Sequence, residues 1–305
     1  MAEVLKKLLS SDIQKNLYPN NEFYKKSKVD AGVQADVATV QIPQAGAVPT
    51  VVENPTVFPL TIAARVDDEV QYAVDVVATE PIVIQDDNEL VLSYSKRQDV
   101  LQDHVAVLNT RVADKLAHAW SAVPATNQVR TTGADSPVLL TGATGTRKRF
   151  SLPDFINAMR IMDNMDAGNN RIALFSANMY AELITASLSQ FVGSDKLSSD
   201  LIAQGVVGKL FNTLIFVRSR TCRYTNAATP LKKIYTAANA ATDNDSILIF
   251  DPSLVRRAEG IVKVYSDLDN PAYLGSIYNA KIRAGGTASR TDFKGIVSII
   301  QAVGA

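Results

Sequence analysis

Between Phe58 and Val77 the chain alternates apolar and polar positions around three acids, FPLTIAARVDDEVQYAVDVV. Phe58, Leu60, Ile62, Ala64 and Val66 take the even positions. After Asp67, Asp68 and Glu69, Val70, Tyr72, Val74 and Val76 resume them. A period of two predicts strands, and the acidic triplet predicts the turn. A three-residue loop pairs Val66 with Val70 and gathers the apolar set on one face of a long hairpin. Arms of about ten residues reach about 33 Å at roughly 3.3 Å per residue. A lone hairpin is marginal in water, so this face needs a cover.

The period changes at Ser95. In SKRQDVLQDHVAVLNTRVADKLAHAW (Ser95–Trp120), Leu101, Val105, Leu108, Val112, Leu116 and Trp120 recur at spacings of three and four. They form one apolar stripe of a helix about 39 Å long, with Ser95 as its N-cap. Further on, SLPDFINAMRIMDNM opens with Ser151 and Asp154 at capping-box spacing, with Pro153 in the first turn. RIALFS (171–176) predicts a buried strand and NMYAELITASL (178–188) a helix. TLIFVRS and SILIF (246–250) predict strands, and Asp251-Pro252 opens a short helix in PSLVRRAEG. This alternation predicts an α/β unit over 137–257. IVKVYS, YLGSIYNAKIRAG and GIVSIIQA then read as three strands of antiparallel sheet.

The N-terminal third lacks a helical stripe. MAEVLKKLLSSDIQ reads as a short amphipathic helix rather than a signal peptide, because Lys6 and Lys7 break its apolar run. This implies a protein made inside the cell. Residues 30–57 read as an extended arm with short strands. PIVIQDDNELVLSY reads as two more strands about a second acidic turn.

Composition narrows the class. Of 305 residues, 47% are apolar and 20% charged, ordinary values for a folded soluble chain. No run of eighteen apolar residues exists to form a membrane helix. One cysteine, Cys222, excludes an intrachain disulfide and a cysteine-rich metal site. The formal net charge is zero, yet the segment from Asp30 to Ser95 holds eleven acids and one base, Arg65. The rest of the chain carries the compensating positive charge. A solvated hairpin also carries such acids, so the asymmetry speaks to association rather than fold.

No catalytic pattern emerges. GATGTRKR (142–149) has glycines too close together, and arginine where a phosphate loop needs Lys-Ser/Thr. His104 and His118 lie fourteen residues apart, without metal-ligand spacing. Asp67/Asp68 and Asp86/Asp87 fall at turns, where aspartate serves the backbone. RAGGTASRTDFKGIVSII (283–300) reads as two strands joined by a glycine-containing turn, adding at most a weak, sequence-independent contact to phosphates.

The order of parts carries a resemblance: extended arm, acidic hairpin, long helix, α/β unit, return strands. So do four local stretches, ELVLSYSKRQDVLQDHVAVLNTRVADKLA, FINAMRIMDNMDAGNNRIALFSANMYAELI, GKLFNTLIFVRSR and AKIRAGGTASRTDFKGIVSI. Together they make the chain resemble the major capsid protein of tailed bacteriophages, with the α+β Hong-Kong-97-like shell fold. The resemblance implies an N-terminal arm (1–55) and an extended β-hairpin loop (56–94). It also implies a peripheral domain (95–136 and 258–305) with a spine helix at 95–120, and an axial domain (137–257).

A non-enzymatic subunit without cofactor is implied, self-assembling into hexamers and pentamers around packaged double-stranded DNA, in a virion assembled in the host cytoplasm. Portal, and separate scaffolding or decoration proteins, are the further partners implied. The loop residues Phe58, Leu60, Ile62, Arg65, Val66, Asp67, Asp68, Glu69, Val70, Tyr72 and Val74 are expected to contact the neighbouring copy. No lysine occurs between Lys28 and Lys96, so a covalent weld through a loop lysine, known in some family members, is not expected. Encapsulin-like compartments share this fold and stand as the alternative. An α/β enzyme built on 137–257 is the reading from another class.

Overall fold

The stripe from Leu101 to Trp120 forms helix α1 (Lys96–Trp120), and its C-terminal half is packed into the core. Leu108, Val112, Leu116 and Trp120 are fully buried, while Leu101 and Val105 are half-buried. The structure, a computed structural model, describes residues 18–19, 21–30, 38–46, 48–56, 58–60, 62, 64–85, 96–186, 191–193 and 196–304. The helix expected in 1–14, the acidic pair Asp86/Asp87, the strand expected after it and the N-cap Ser95 lie outside the described residues.

Two sheets meet on α1. In the first, the fourteen-residue strand Gly275–Ala288 is the central member. Val255–Glu259 and Lys263–Asn270 pair successively along one of its edges, and Asp75–Ala78 and Ile82–Gln85 along the other. Lys28–Val29 adds a parallel pair on Val255–Glu259. Helix α1 lies across this sheet so closely that Gly286 is required. A Cβ there would stand 2.5 Å from Leu116 Cδ2 and 2.7 Å from the Arg256 carbonyl oxygen. Trp120 fixes the crossing by donating its indole N–H to that same carbonyl at 3.1 Å.

The second sheet has seven strands in the order Phe191–Gly193, Gly208–Leu210, Thr213–Arg218, Arg171–Ser176, Ser246–Phe250, Ile296–Ile300, Gln128–Arg130. Its central strands are buried at every position. Successive side chains enter opposite cores: Ile172, Leu174, Leu248 and Phe250 join α1 and Trp120. Ala173, Phe175, Ile247 and Ile249 face helices α2 (Leu152–Asn164) and α3 (Ala177–Ala186). Two covered faces explain why RIALFS, SILIF and IVSII are largely apolar without alternating. The capping box of α2 forms as read, with Asp154 accepting from the Ser151 backbone N–H at 2.9 Å.

Three expectations are corrected. The strand Asp68–Ala73 does not fold back on 58–66; it pairs antiparallel with Thr39–Gln44, setting Ile42 opposite Val70 and Val40 opposite Tyr72. The period of two holds for Asp68–Ala73, but its partner is remote, in the stretch assigned to the arm, and the described residues of 58–66 form no strand. Asp68 and Glu69 therefore lie in a strand rather than a turn. Second, PSLVRRAEG is not a helix beyond a single 3-10 turn at Pro252–Leu254. Val255–Glu259 is a strand, because pairing with Ala284–Ala288 buries Val255 and Ala258. Third, Ile296–Ile300 leaves the other tail strands and inserts between Ser246–Phe250 and Gln128–Arg130 of the seven-stranded sheet. All five of its residues are buried there, between the two cores that cover that sheet, and Ser298 Oγ is met by the Ala122 N–H and the Tyr224 hydroxyl. Residues 122–149, between α1 and α2, contain three short strands.

Candidate assembly surface

The two-stranded ribbon of Thr39–Gln44 and Asp68–Ala73 turns its apolar residues inward, whereas the segment that joins its strands leaves apolar residues outside. Its base is held by the chain itself. Ile42, Val70, Tyr72 and Val74 are buried together with Ala258 of the six-stranded sheet. The Tyr72 hydroxyl donates to Asp30 Oδ2 at 2.7 Å, and Arg256 Nη1 donates to Asp30 Oδ1 at 2.7 Å. The Asp30 carboxylate thus ties ribbon to sheet. Burial, then the bond to Asp30, pushes the Tyr72 hydroxyl pKa far above its ordinary value, so the hydroxyl stays protonated and remains a donor. Lys115 of α1 donates to Asp75 at 2.5 Å and to the Ala284 carbonyl at 2.8 Å, fixing the chain where it leaves the ribbon.

The ribbon's far end is different. Gly46 and Val66 approach so closely that a Cβ on Gly46 would lie 1.9 Å from the Val66 carbonyl oxygen. The Gly46 N–H donates to Asp67 Oδ1 at 2.8 Å, and Arg65 Nε donates to the same oxygen at 2.6 Å. The backbone N–H first, and then Arg65, hold the Asp67 carboxyl below the usual range, keeping it an anion that closes the ribbon. Beyond this clasp, the described part of 45–67 forms no strand or helix and exposes its apolar side chains. Phe58 is 72% exposed, Ile62 92%, Val66 77%, Val48 87% and Val51 85%.

Of the loop residues expected to contact a neighbour, Phe58, Leu60, Ile62, Arg65, Val66, Asp67, Asp68 and Glu69 are exposed. Val70, Tyr72 and Val74 are buried in the chain's own core, and the contact role read for them is corrected. Alternation marks a covered face without saying what covers it. Val48, Val51 and Val52 were missed; the signal was there in GAVPTVV, a run of apolar residues without a helical or strand period.

The remaining candidate chemistry resolves into structure. Arg147 of GATGTRKR is buried, donating Nε to Asn244 Oδ1 at 2.6 Å and its other N–H groups to backbone carbonyls, so it braces the loop. Burial, with a smaller contribution from Lys232, pushes His118 down to about 4, and burial lowers His104 as well. Burial pushes the Cys222 thiol up to about 11. Among the described residues no three His, Cys, Asp or Glu converge as metal ligands. None of their helices is long and apolar enough to cross a membrane.

No family model and no curated protein matches the chain. Solved structures do. A chain from Mycobacterium phage Che8 is 15% identical, with a TM-score of 0.67 over 98% of each chain. One from the capsid of Ralstonia phage GP4 is 11% identical, with a TM-score of 0.64 over 99% of this chain and 96% of that one. One from the capsid asymmetric unit of cyanophage Pam1 is 11% identical, with a TM-score of 0.64 over 100% of this chain and 98% of that one. At these identities the likeness shows the fold, the α+β Hong-Kong-97-like shell fold, along the full length.

Proposed function

We propose that this chain is a shell subunit, the major capsid protein of a tailed bacteriophage. Its copies assemble into hexamers and pentamers of a closed head around packaged double-stranded DNA. The observation that carries the reading is the exposed apolar end of a ribbon whose base is locked, in a fold shared from end to end with phage capsid chains. Such a patch marks an interaction surface, and a second copy of the chain is its natural cover. Contacts of this head-to-tail kind close into rings. Asp67, Asp68, Glu69 and Glu53 make the ribbon acidic, and a basic body on the next copy would steer its docking. The role is structural rather than catalytic. Portal, and separate scaffolding or decoration proteins, are the expected partners in the virion, with DNA held by weak non-specific contact. The loop region is then better bounded as 39–73 than as 56–94, with the arm preceding it, and Ile296–Ile300 belongs with the axial sheet.

Electron microscopy of the purified chain tests this directly. Closed particles or capsomer rings are expected, and a uniformly small species would refute the reading in favour of an unrecognised enzyme. Nuclease-protected DNA in particles recovered from infected cells distinguishes a head from an encapsulin-like compartment filled with protein. Denaturing gels of assembled particles should show single subunits, because the ribbon carries no lysine. A covalent ladder would contradict that.

A further inference from the structure

The chain around Phe23 runs along α1 in a definite direction. The Phe23 ring packs on Trp120 with centroids 6.2 Å apart, Asn21 Nδ2 donates to Thr110 Oγ1 at 3.3 Å, and the Tyr18 hydroxyl donates to Asp103 Oδ1 at 2.9 Å. Each step back in sequence is a step toward the N-terminal end of the helix. At Tyr18 the path reaches a groove of about 580 Å³ between α1 and the strands Asp75–Ala78 and Ile82–Gln85. Val77, Pro81, Ile82, His104, Val107 and Leu108 line it, with Tyr18 itself in one wall.

Two observations say that this groove takes a cover. Ile82 and Val107 are exposed apolar side chains in it, and uncovered apolar area forgoes the gain of burial. His104 is 3% exposed, and its Nε2 has no hydrogen-bond partner among the described residues. A buried polar atom is costly to leave unmet. Chain continuity says what the cover is. Leu17 is joined to Tyr18, so the segment 1–17 starts at the groove, and a tethered segment meets it at a high effective concentration without help from a second copy. That segment carries Leu5, Leu9, Ile13 and Leu17 at a spacing of four, a stripe that itself needs a partner surface. Charge agrees. Its three lysines outnumber its two acids, while Glu80 and Asp103 outnumber Arg111 around the groove.

We propose that the groove between α1 and the strands Asp75–Ala78 and Ile82–Gln85 is the docking site of residues 1–17 of the same chain, whose apolar stripe covers Ile82 and Val107 and whose polar groups meet His104 Nε2. Docked there, the segment ties α1 to the two strands that follow the ribbon, and so braces the ribbon's root. The inference goes beyond the shell reading and does not depend on it.

The test is the rate at which a maleimide labels the thiol introduced by Val107→Cys, with the labelled site identified by peptide mass spectrometry. The full chain, kept unassembled, is compared with the same variant lacking residues 1–17. Labelling several-fold slower in the full chain is expected, and equal rates overturn the proposal. Should the shortened chain fail to fold, Leu9→Asp with Ile13→Asp in the full-length Val107→Cys chain takes its place. That pair should restore fast labelling, and labelling that stays slow overturns the role of the stripe. The slow rate should also be the same across a dilution series. Protection that disappears on dilution means that a second copy supplies the cover, and overturns the assignment to the same chain.

Discussion

Replacing Phe58, Ile62 and Val66 together by serine removes apolar surface that is mostly uncovered in the chain's own fold. The three side chains are 72%, 92% and 77% exposed, so the isolated subunit gives up almost no packing. If a neighbour covers them, the account is different. Burying a large apolar side chain contributes about 1.5–3 kcal/mol relative to exposure. Scaled by the exposed fractions and taken at the low end, the three contribute about 4 kcal/mol per subunit contact. Each 1.4 kcal/mol is tenfold in an association constant, so the concentration at which subunits assemble should rise on the order of 10³-fold. Sedimentation velocity across a concentration series measures that threshold, and thermal unfolding of the unassembled variant controls for folding. The expected pair of results is an unchanged midpoint with assembly lost at concentrations that suffice for the parent. A variant that assembles at the parental threshold would refute the argument that another copy covers the ribbon's end.

Trp120→Ala should destabilise the subunit itself by about 3–5 kcal/mol, read by chemical denaturation. The ring is fully buried against Phe23 and Phe250, and its loss leaves the Arg256 carbonyl without its donor. His118 sets a pH dependence. Its pKa falls from an ordinary 6.5 to about 4 on folding, so the unfolded chain binds the extra proton between those values. Stability from this group is therefore full above pH 6.5 and is lost as pH drops toward 4. The denaturation midpoint should fall through that window, and His118→Gln should fall less steeply. Cys222, buried and pushed up to about 11, should resist a thiol-alkylating reagent at pH 8 in the native chain and react fully once unfolded; rapid native labelling would contradict its placement.

What the sequence made legible was whatever is decided locally. Helix α1 announces itself because its stripe repeats every turn, and α2 because Ser151 and Asp154 complete a box within four residues. The runs RIALFS and SILIF were readable as buried strands, since no exposed face interrupts them. Partners were not readable. Val70 and Tyr72 alternate in the same way whether they pair with Val66 or, as they do, with Ile42 and Val40. Val255–Glu259 has a composition a helix would accept, and only the distant strand Ala284–Ala288 decides otherwise. At the candidate assembly surface, Asp67, Asp68 and Glu69 are exposed because charge favours water anywhere, although two of them lie in a strand rather than a turn. The apolar residues divided into covered and uncovered sets through contacts with Ala258 and Asp30, which no local period encodes.

That division bears on why the ribbon is suited to association. An apolar loop free at both ends would spend much of its contact energy on being ordered. Here the ordering is done in advance by the subunit. Asp30 clamps Tyr72 to Arg256, Val74 donates its N–H to the Ala38 carbonyl at 2.8 Å, and Asp67 clasps Gly46 where the strands end. If a second copy covers this end, as proposed, the ordering cost of the two strands is already met. The same clasp keeps Arg65 paired with Asp67, while Asp68 and Glu69 stay exposed, as do Phe58, Ile62 and Val66 of the same segment. Charge that acts at a distance sets the approach and register, and apolar area that acts only on contact sets the strength. On the proposed reading, such a surface would select a partner that is both basic and apolar at matching positions.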